Sequence, residues 1–137
     1  MNDGTDFWAG FEVVSVYTRA NAISDGVLAD LSALVSDVCS EIYPGVSVAC
    51  TSAVWKDIEK AVASKKHCND LKGVVHDLLW MSKQSLESAV KKGEIEYLFR
   101  CIITGIAFRT MHTFKCVLGV CDDGETPAIT IMYPQED

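Results

Sequence analysis

The stretch Y-T-R-A-N-A-I-S-D-G-V-L-A-D-L, residues 17–31, carries a helix start, a helix stop and a strand in close succession. Thr18 is placed to cap a short helix of Arg19, Ala20, Asn21, Ala22 and Ile23, because its hydroxyl can accept from a first-turn N–H that has no partner within the helix. Asp25-Gly26 then ends the helix, since glycine accepts the left-handed backbone found at such stops. Val27, Ala29 and Leu31 alternate with Leu28 and Asp30, the period of a strand. Asp30 has two readings: an anchor tied to backbone N–H groups or to Arg19, or a side chain pointing to water. Buried carboxylates are uncommon unless paired, so the solvent-facing reading is the expectation.

Beyond Leu31, the residues Leu34, Val35, Val38, Cys39 and Ile42 recur at helical spacing behind Ser32 as a candidate cap. Pro44-Gly45 stops that helix. Val46, Val48 and Cys50 alternate as a strand, and Thr51 or Ser52 caps a helix through about Ala63 with Val54, Trp55, Ile58 and Val62 on one face. The turn-like S-K-K-H-C-N at 64–69 leads to the longest helix, opened by Asn69 or Asp70 and closed by Lys91-Lys92-Gly93. Its stripe is Leu71, Val74, Val75, Leu78, Leu79, Ser82, Leu86 and Val90, and bases at the end agree with the helix dipole.

After Gly93 the period changes. Residues 95–104 and 113–121 are rich in Phe, Ile, Val, Cys and Thr. Asp122-Asp123-Gly124-Glu125 reads as a hairpin turn, because Asp-Gly supplies the positive φ angles such turns need. Ala128 to Tyr133 is the return strand, with Pro127 and Pro134 kept at its ends. The chain therefore reads as α+β, helices packed on a small antiparallel sheet ending in a C-terminal hairpin. It is expected to be a single domain over 1–137, with an arm over 1–12 whose Phe7, Trp8 and Phe11 fold back on the core.

Four blocks, YTRANAISDGVLADLS (17–32), TSAVW (51–55), DLLWM (77–81) and LGVCDDGETPAITIMYP (118–134), resemble in that order an uncharacterised family of small proteins carried by plasmids and phages. What the resemblance implies is a mobile-element origin, not a reaction.

Composition narrows the field. The net charge is −7, with 49% of residues hydrophobic and 23% charged, which argues against disorder. The longest apolar run, Cys101 to Phe108, is too short to span a bilayer. Acids stand where a signal peptide would have bases, so a cytoplasmic protein of a bacterial host is expected. Residues 1–55 hold seven acids and one base, Arg19; residues 110–137 hold five acids and one base. Such ends repel phosphate, disfavouring direct nucleic-acid binding, and suit a partner with a basic groove.

Six cysteines lie mostly in apolar segments with no C-x-x-C spacing, as free thiols acting as small hydrophobes. His67, Cys68, His76 and His112 do not make a zinc pattern, and no metal or other cofactor is expected. Glu94 and Glu96 would share a strand face, but no phosphate loop, dinucleotide fingerprint, nucleophile elbow or zincin motif occurs. Trp80 is expected to pack against the sheet, with an exposed partner anchor as the other reading.

The functional expectation is a non-enzymatic module that inhibits a nucleic-acid-handling defence, of anti-CRISPR or antirestriction kind. Its partner would be a host protein or ribonucleoprotein. The expected partner-binding residues are Asp122, Asp123 and Glu125, with Asp25, Asp30, Asp3 and Asp6 secondary. Two alternatives stand beside it. One is an accessory protein of plasmid or phage maintenance, a homodimer through a strand edge or the long helix. The other is a cysteine-dependent enzyme.

Overall fold

Thr18 does cap the first helix, its Oγ1 accepting from the Asn21 N–H at 3.0 Å. The computed structural model describes residues 17–137. The aromatic arm, with Asp3 and Asp6, lies outside those residues. Helix α1 (Arg19–Ser24) runs into strand β1 (Leu28–Asp30). Then come α2 (Leu31–Leu34), α3 (Ser36–Ile42), β2 (Ser47–Thr51), α4 (Ser52–Ala63), α5 (Leu71–Lys91), β3 (Glu96–Ile102), β4 (Met111–Val120) and β5 (Pro127–Met132).

The fold is α+β, with the helices packed on a five-stranded sheet of order β1-β2-β5-β4-β3. The sheet is antiparallel except at its middle, where β2 and β5 run parallel, Val48 beside Ile129 and Cys50 beside Ile131. Hence the C-terminal hairpin of β4 and β5 is where expected, but β5 is interior rather than terminal. Alternation along β3 turns Tyr97, Phe99 and Cys101 inward and leaves Glu96, Leu98, Arg100 and Ile102 exposed. Long helix α5 lies across the inward face. Phe114, Leu78, Leu79, Val75, Ile58 and Ile131 fill the core between them, each less than 2% exposed.

Four local expectations are corrected. The helix foreseen from Ser32 to Ile42 is broken at Val35, whose φ of −136° and ψ of 59° are not helical. Its cap is Asp30, not Ser32: Asp30 Oδ1 accepts from Ala33 N–H at 3.3 Å, and Ser32 Oγ instead accepts from Val48 N–H at 2.8 Å. Asp30 is thus the backbone anchor and does not simply point to water. On α5 the stripe holds as far as Ser82, but Ala89 is buried where Val90 was expected, leaving Val90 59% exposed.

The stripe also carries a buried chain of hydroxyls. Tyr43 Oη and Ser82 Oγ lie 2.6 Å apart, Ser82 Oγ donates to Leu79 O, and Tyr97 Oη donates to Ser82 O at 2.6 Å. These bonds tie α3, α5 and β3 together, and burial without them would cost each hydroxyl its hydration. Asn69 does the same for the linker after α4, donating from Nδ2 to Ala61 O and Thr104 O. Gly105 (φ +90°) fits there because a Cβ would approach Ala61 Cα to 3.2 Å.

Arg19 reaches furthest. Its guanidinium donates to Thr130 Oγ1 at 2.7 Å, to Ile129 O at 2.9 Å and to Ser47 O at 3.4 Å. One side chain therefore joins α1 to both strands of the parallel pair. Replacing Arg19 by Ala is expected to lower stability by about 2–3 kcal/mol, because charged hydrogen bonds are lost and buried acceptors are left without donors. Urea unfolding of Arg19→Ala and Arg19→Lys checks this; a midpoint unchanged in both would show that the helix needs no pin.

Candidate functional site

The expected acidic site assembles at one corner, built by the β4–β5 turn and the start of α1. Asp122 caps that helix: Oδ1 accepts from Arg19 N–H at 2.9 Å and Oδ2 from Ala20 N–H at 3.0 Å. Asp123 closes the turn, Oδ1 accepting from Glu125 N–H and Thr126 N–H at 2.9 Å each and Oδ2 from the Thr126 hydroxyl at 2.6 Å. The Thr126 hydroxyl, then these N–H groups, hold the Asp123 carboxyl below its usual range. Gly124 supplies the positive φ, +75°.

Asp25 stands at the far end of α1 and accepts from Tyr17 Oη at 2.6 Å, which raises the Tyr17 phenol. Among the described residues, the Glu125 carboxylate makes no hydrogen bond or ion pair. Asp30 is set apart on β1, half-buried at the start of α2. The corner thus brings together Asp122, Asp123 and Glu125, with Asp25 at the other end of α1. Three of these four carboxylates are held by bonds inside the chain.

The only base of the first 55 residues lies beneath this corner. Burial pulls the Arg19 guanidinium below its ordinary value, while Cys121, Asp30 and Asp122 pull it back up. The sequence places Arg19 in a helix and, in one reading, as a tie for Asp30. Its isolation among seven acids was the available signal, because a lone cation amid carboxylates has several partners to satisfy.

Four of the six thiols are buried. Burial pushes Cys39 and Cys116 up to about 11 and Cys50 and Cys101 up to about 12, so the reactive thiolate is disfavoured. Cys101 faces His112 across the β3–β4 ladder. Yet His112 Nε2 sits 3.2 Å from Ile103 O and 3.1 Å from Arg109 O. A nitrogen between two carbonyl acceptors carries the ring proton, which leaves Nδ1 as the acceptor of the neutral imidazole. His67 bonds Ser64, and His76 lies near Glu41 and Asp77. Among the described residues, no three His, Cys, Asp or Glu side chains converge as metal ligands. Glu94 falls before β3, and Glu96, which was to share its strand face, pairs with Lys115 at 3.5 Å.

A second surface lies at Trp80, which follows the other of its two readings, the exposed one. Trp80 does not pack against the sheet; it is 51% exposed and stacks on His76 with ring centroids 6.2 Å apart. Each helical step turns roughly 100°, so with Leu78 and Leu79 facing the core, Trp80 is carried to the flank. There it lines a groove of about 480 Å³ with Asp77, Met81, Arg100, Ile102 and Met111, beside the outer edge of β3.

A model for a family of unknown function, DUF6573, matches residues 1–137. The chain belongs to that family. No curated protein and no solved structure matches it. Among the described residues of this DUF6573 member, no helix is long and apolar enough to cross a membrane.

Two measurements follow from the chemistry of these groups. Cys68, exposed, is expected to react first with a thiol reagent in native buffer, and Cys39, Cys50, Cys101 and Cys116 only on unfolding. The raised thiols also fix a sign with pH. Their stability contribution is complete below the ordinary thiol value of about 8.5 and is lost as pH rises towards 11–12. Denaturant midpoints that stay level over that alkaline range would contradict it.

Proposed function

We propose that this chain is a non-catalytic binding module of a mobile genetic element, whose acidic corner occupies a basic groove on a host protein or ribonucleoprotein. The observation that carries this reading is the fixed presentation of the carboxylates. Asp122 and Asp123 are held in place by backbone N–H groups, and Glu125 projects from the turn they close. Charges already ordered in the free protein lose less freedom on binding, which favours affinity. A groove built for phosphate offers lysines and arginines to meet them, and electrostatic complementarity speeds encounter.

The net charge of −7 supports a protein partner over direct contact with nucleic acid. The resemblance to plasmid- and phage-borne proteins supports the concrete form, an inhibitor of a nucleic-acid-handling defence of anti-CRISPR or antirestriction kind, acting in the cytoplasm. The buried thiols with raised pKa support a binding role over a cysteine-dependent enzyme.

The test is protection of incoming DNA. In a host with an active CRISPR or restriction barrier, expression of the chain is expected to raise transformation by a targeted plasmid. Glu125→Lys with Asp25→Lys should weaken partner binding by about 100-fold, since like charges set across an interface are strongly unfavourable. The fold should persist, because Glu125 makes no internal side-chain bond among the described residues and Asp25 loses only an exposed one from Tyr17. Failure to protect against either kind of barrier would reject the inhibitor, and protection that survives both reversals would reject the acidic corner.

A further inference from the structure

The outer edge of β3 has the chemistry to pair with itself. β3 is the last strand in the sheet order and has a neighbour, β4, on one side only. Ile103 N–H donates to Thr110 O at 2.8 Å and Leu118 N–H to Ile95 O at 2.7 Å, so the odd-numbered residues of this strand bond to β4. In an antiparallel ladder the alternate residues then turn N–H and C=O outward: Glu96, Leu98, Arg100 and Ile102. Exposed edges of this kind are templates for another strand.

We infer that β3 pairs antiparallel with β3 of a second copy of this chain, about a twofold axis at Leu98. That register sets Leu98 against Leu98 and Glu96 against Arg100 twice over. Opposite charges directly across a ladder stabilise it and like charges destabilise it. Other registers are poorer. An axis at Glu96 or Arg100 would place like charges face to face, and an axis at Tyr97 or Phe99 would set a charged residue against Leu98. Lys115 approaches Glu96 Oε2 at 3.5 Å from within the chain, leaving Oε1 for the neighbour.

The helix flank agrees with the same axis. A twofold normal to the sheet keeps both copies of α5 on one face, side by side. On each copy, Trp80 and Met81 flank the Arg100–Ile102 end of β3. Gln84, Ser85, Ser88 and Lys92 line a hollow of about 520 Å³ at the Glu96–Leu98 end. Pairing about Leu98 brings the Trp80 end of one copy alongside the hollow of the other, a bulky aromatic facing small polar residues. Both hollows fall within the roughly 300–1,000 Å³ of binding clefts, so each has room for an aromatic side chain. This interaction surface is separate from the acidic corner and does not rest on the inhibitor reading.

Light scattering and sedimentation of the full chain are expected to give twice its 15.0 kDa mass, concentration-dependent in the micromolar range. Arg100→Glu should raise the dissociation constant by about 100-fold, and adding Glu96→Arg in the same chain should recover most of that loss. Trp80→Ser should weaken the dimer without changing the circular dichroism spectrum. Amide exchange supplies a readout on the unaltered protein: Leu98 and Arg100 N–H groups should be protected when concentrated and exchange freely on dilution. A wild-type chain still monomeric at about 0.1 mM, or a dimer indifferent to Arg100→Glu, overturns the proposal.

Discussion

Arg19 holds the two halves of the sheet in register. β1 and β2 form one half and β3, β4 and β5 the other, and the halves meet only where β2 runs beside β5. Across that seam the guanidinium bonds Ser47 O on one strand and Ile129 O and Thr130 Oγ1 on the other. A planar fork of donors suits several acceptors at once in a way an ammonium does not. The carboxylates around it follow from the same fact: Asp122 and Asp30 favour the buried cation, and each also caps a helix.

The acidic surface therefore has two layers of meaning. Asp122 and Asp123 shape the backbone at the turn, and Glu125 is shaped by it. A charge count along the sequence cannot separate these roles, because it sees only that five acids crowd the last 28 residues. The distinction lies in which oxygen finds an N–H, and that depends on α1 arriving beside a turn more than a hundred residues away in the chain.

What could be read from residues alone was local. Thr18 and Thr51 as caps, Gly93 and the Asp-Gly turn as stops, and the stripe along α5 each depend on neighbours within a turn or two. What could not be read depended on distant partners. Val35 breaks its helix although the spacing of Leu34, Val35 and Val38 suits an unbroken one, and the hydroxyl expected to cap that helix is engaged by Val48 on β2. The parallel pairing of β2 with β5 joins segments 81 residues apart, as Ser47 and Ala128 show, and no local pattern distinguishes it from an antiparallel contact. Trp80 was misplaced for a smaller reason: one residue past a stripe turns a side chain out of the core.

The position of β5 also bears on how the molecule is made. It is the last of the five strands to be synthesised, yet it lies third in the sheet, between β4, which just precedes it, and β2, completed much earlier. While the ribosome is still adding residues before 127, β2 has an open side with Val48, Ala49 and Cys50 uncovered, and the β3–β4 hairpin has no bridge to it. Apolar strand edges waiting in this way are where nascent chains aggregate. The sheet is complete only once β5, ending at Met132, lies between β2 and β4.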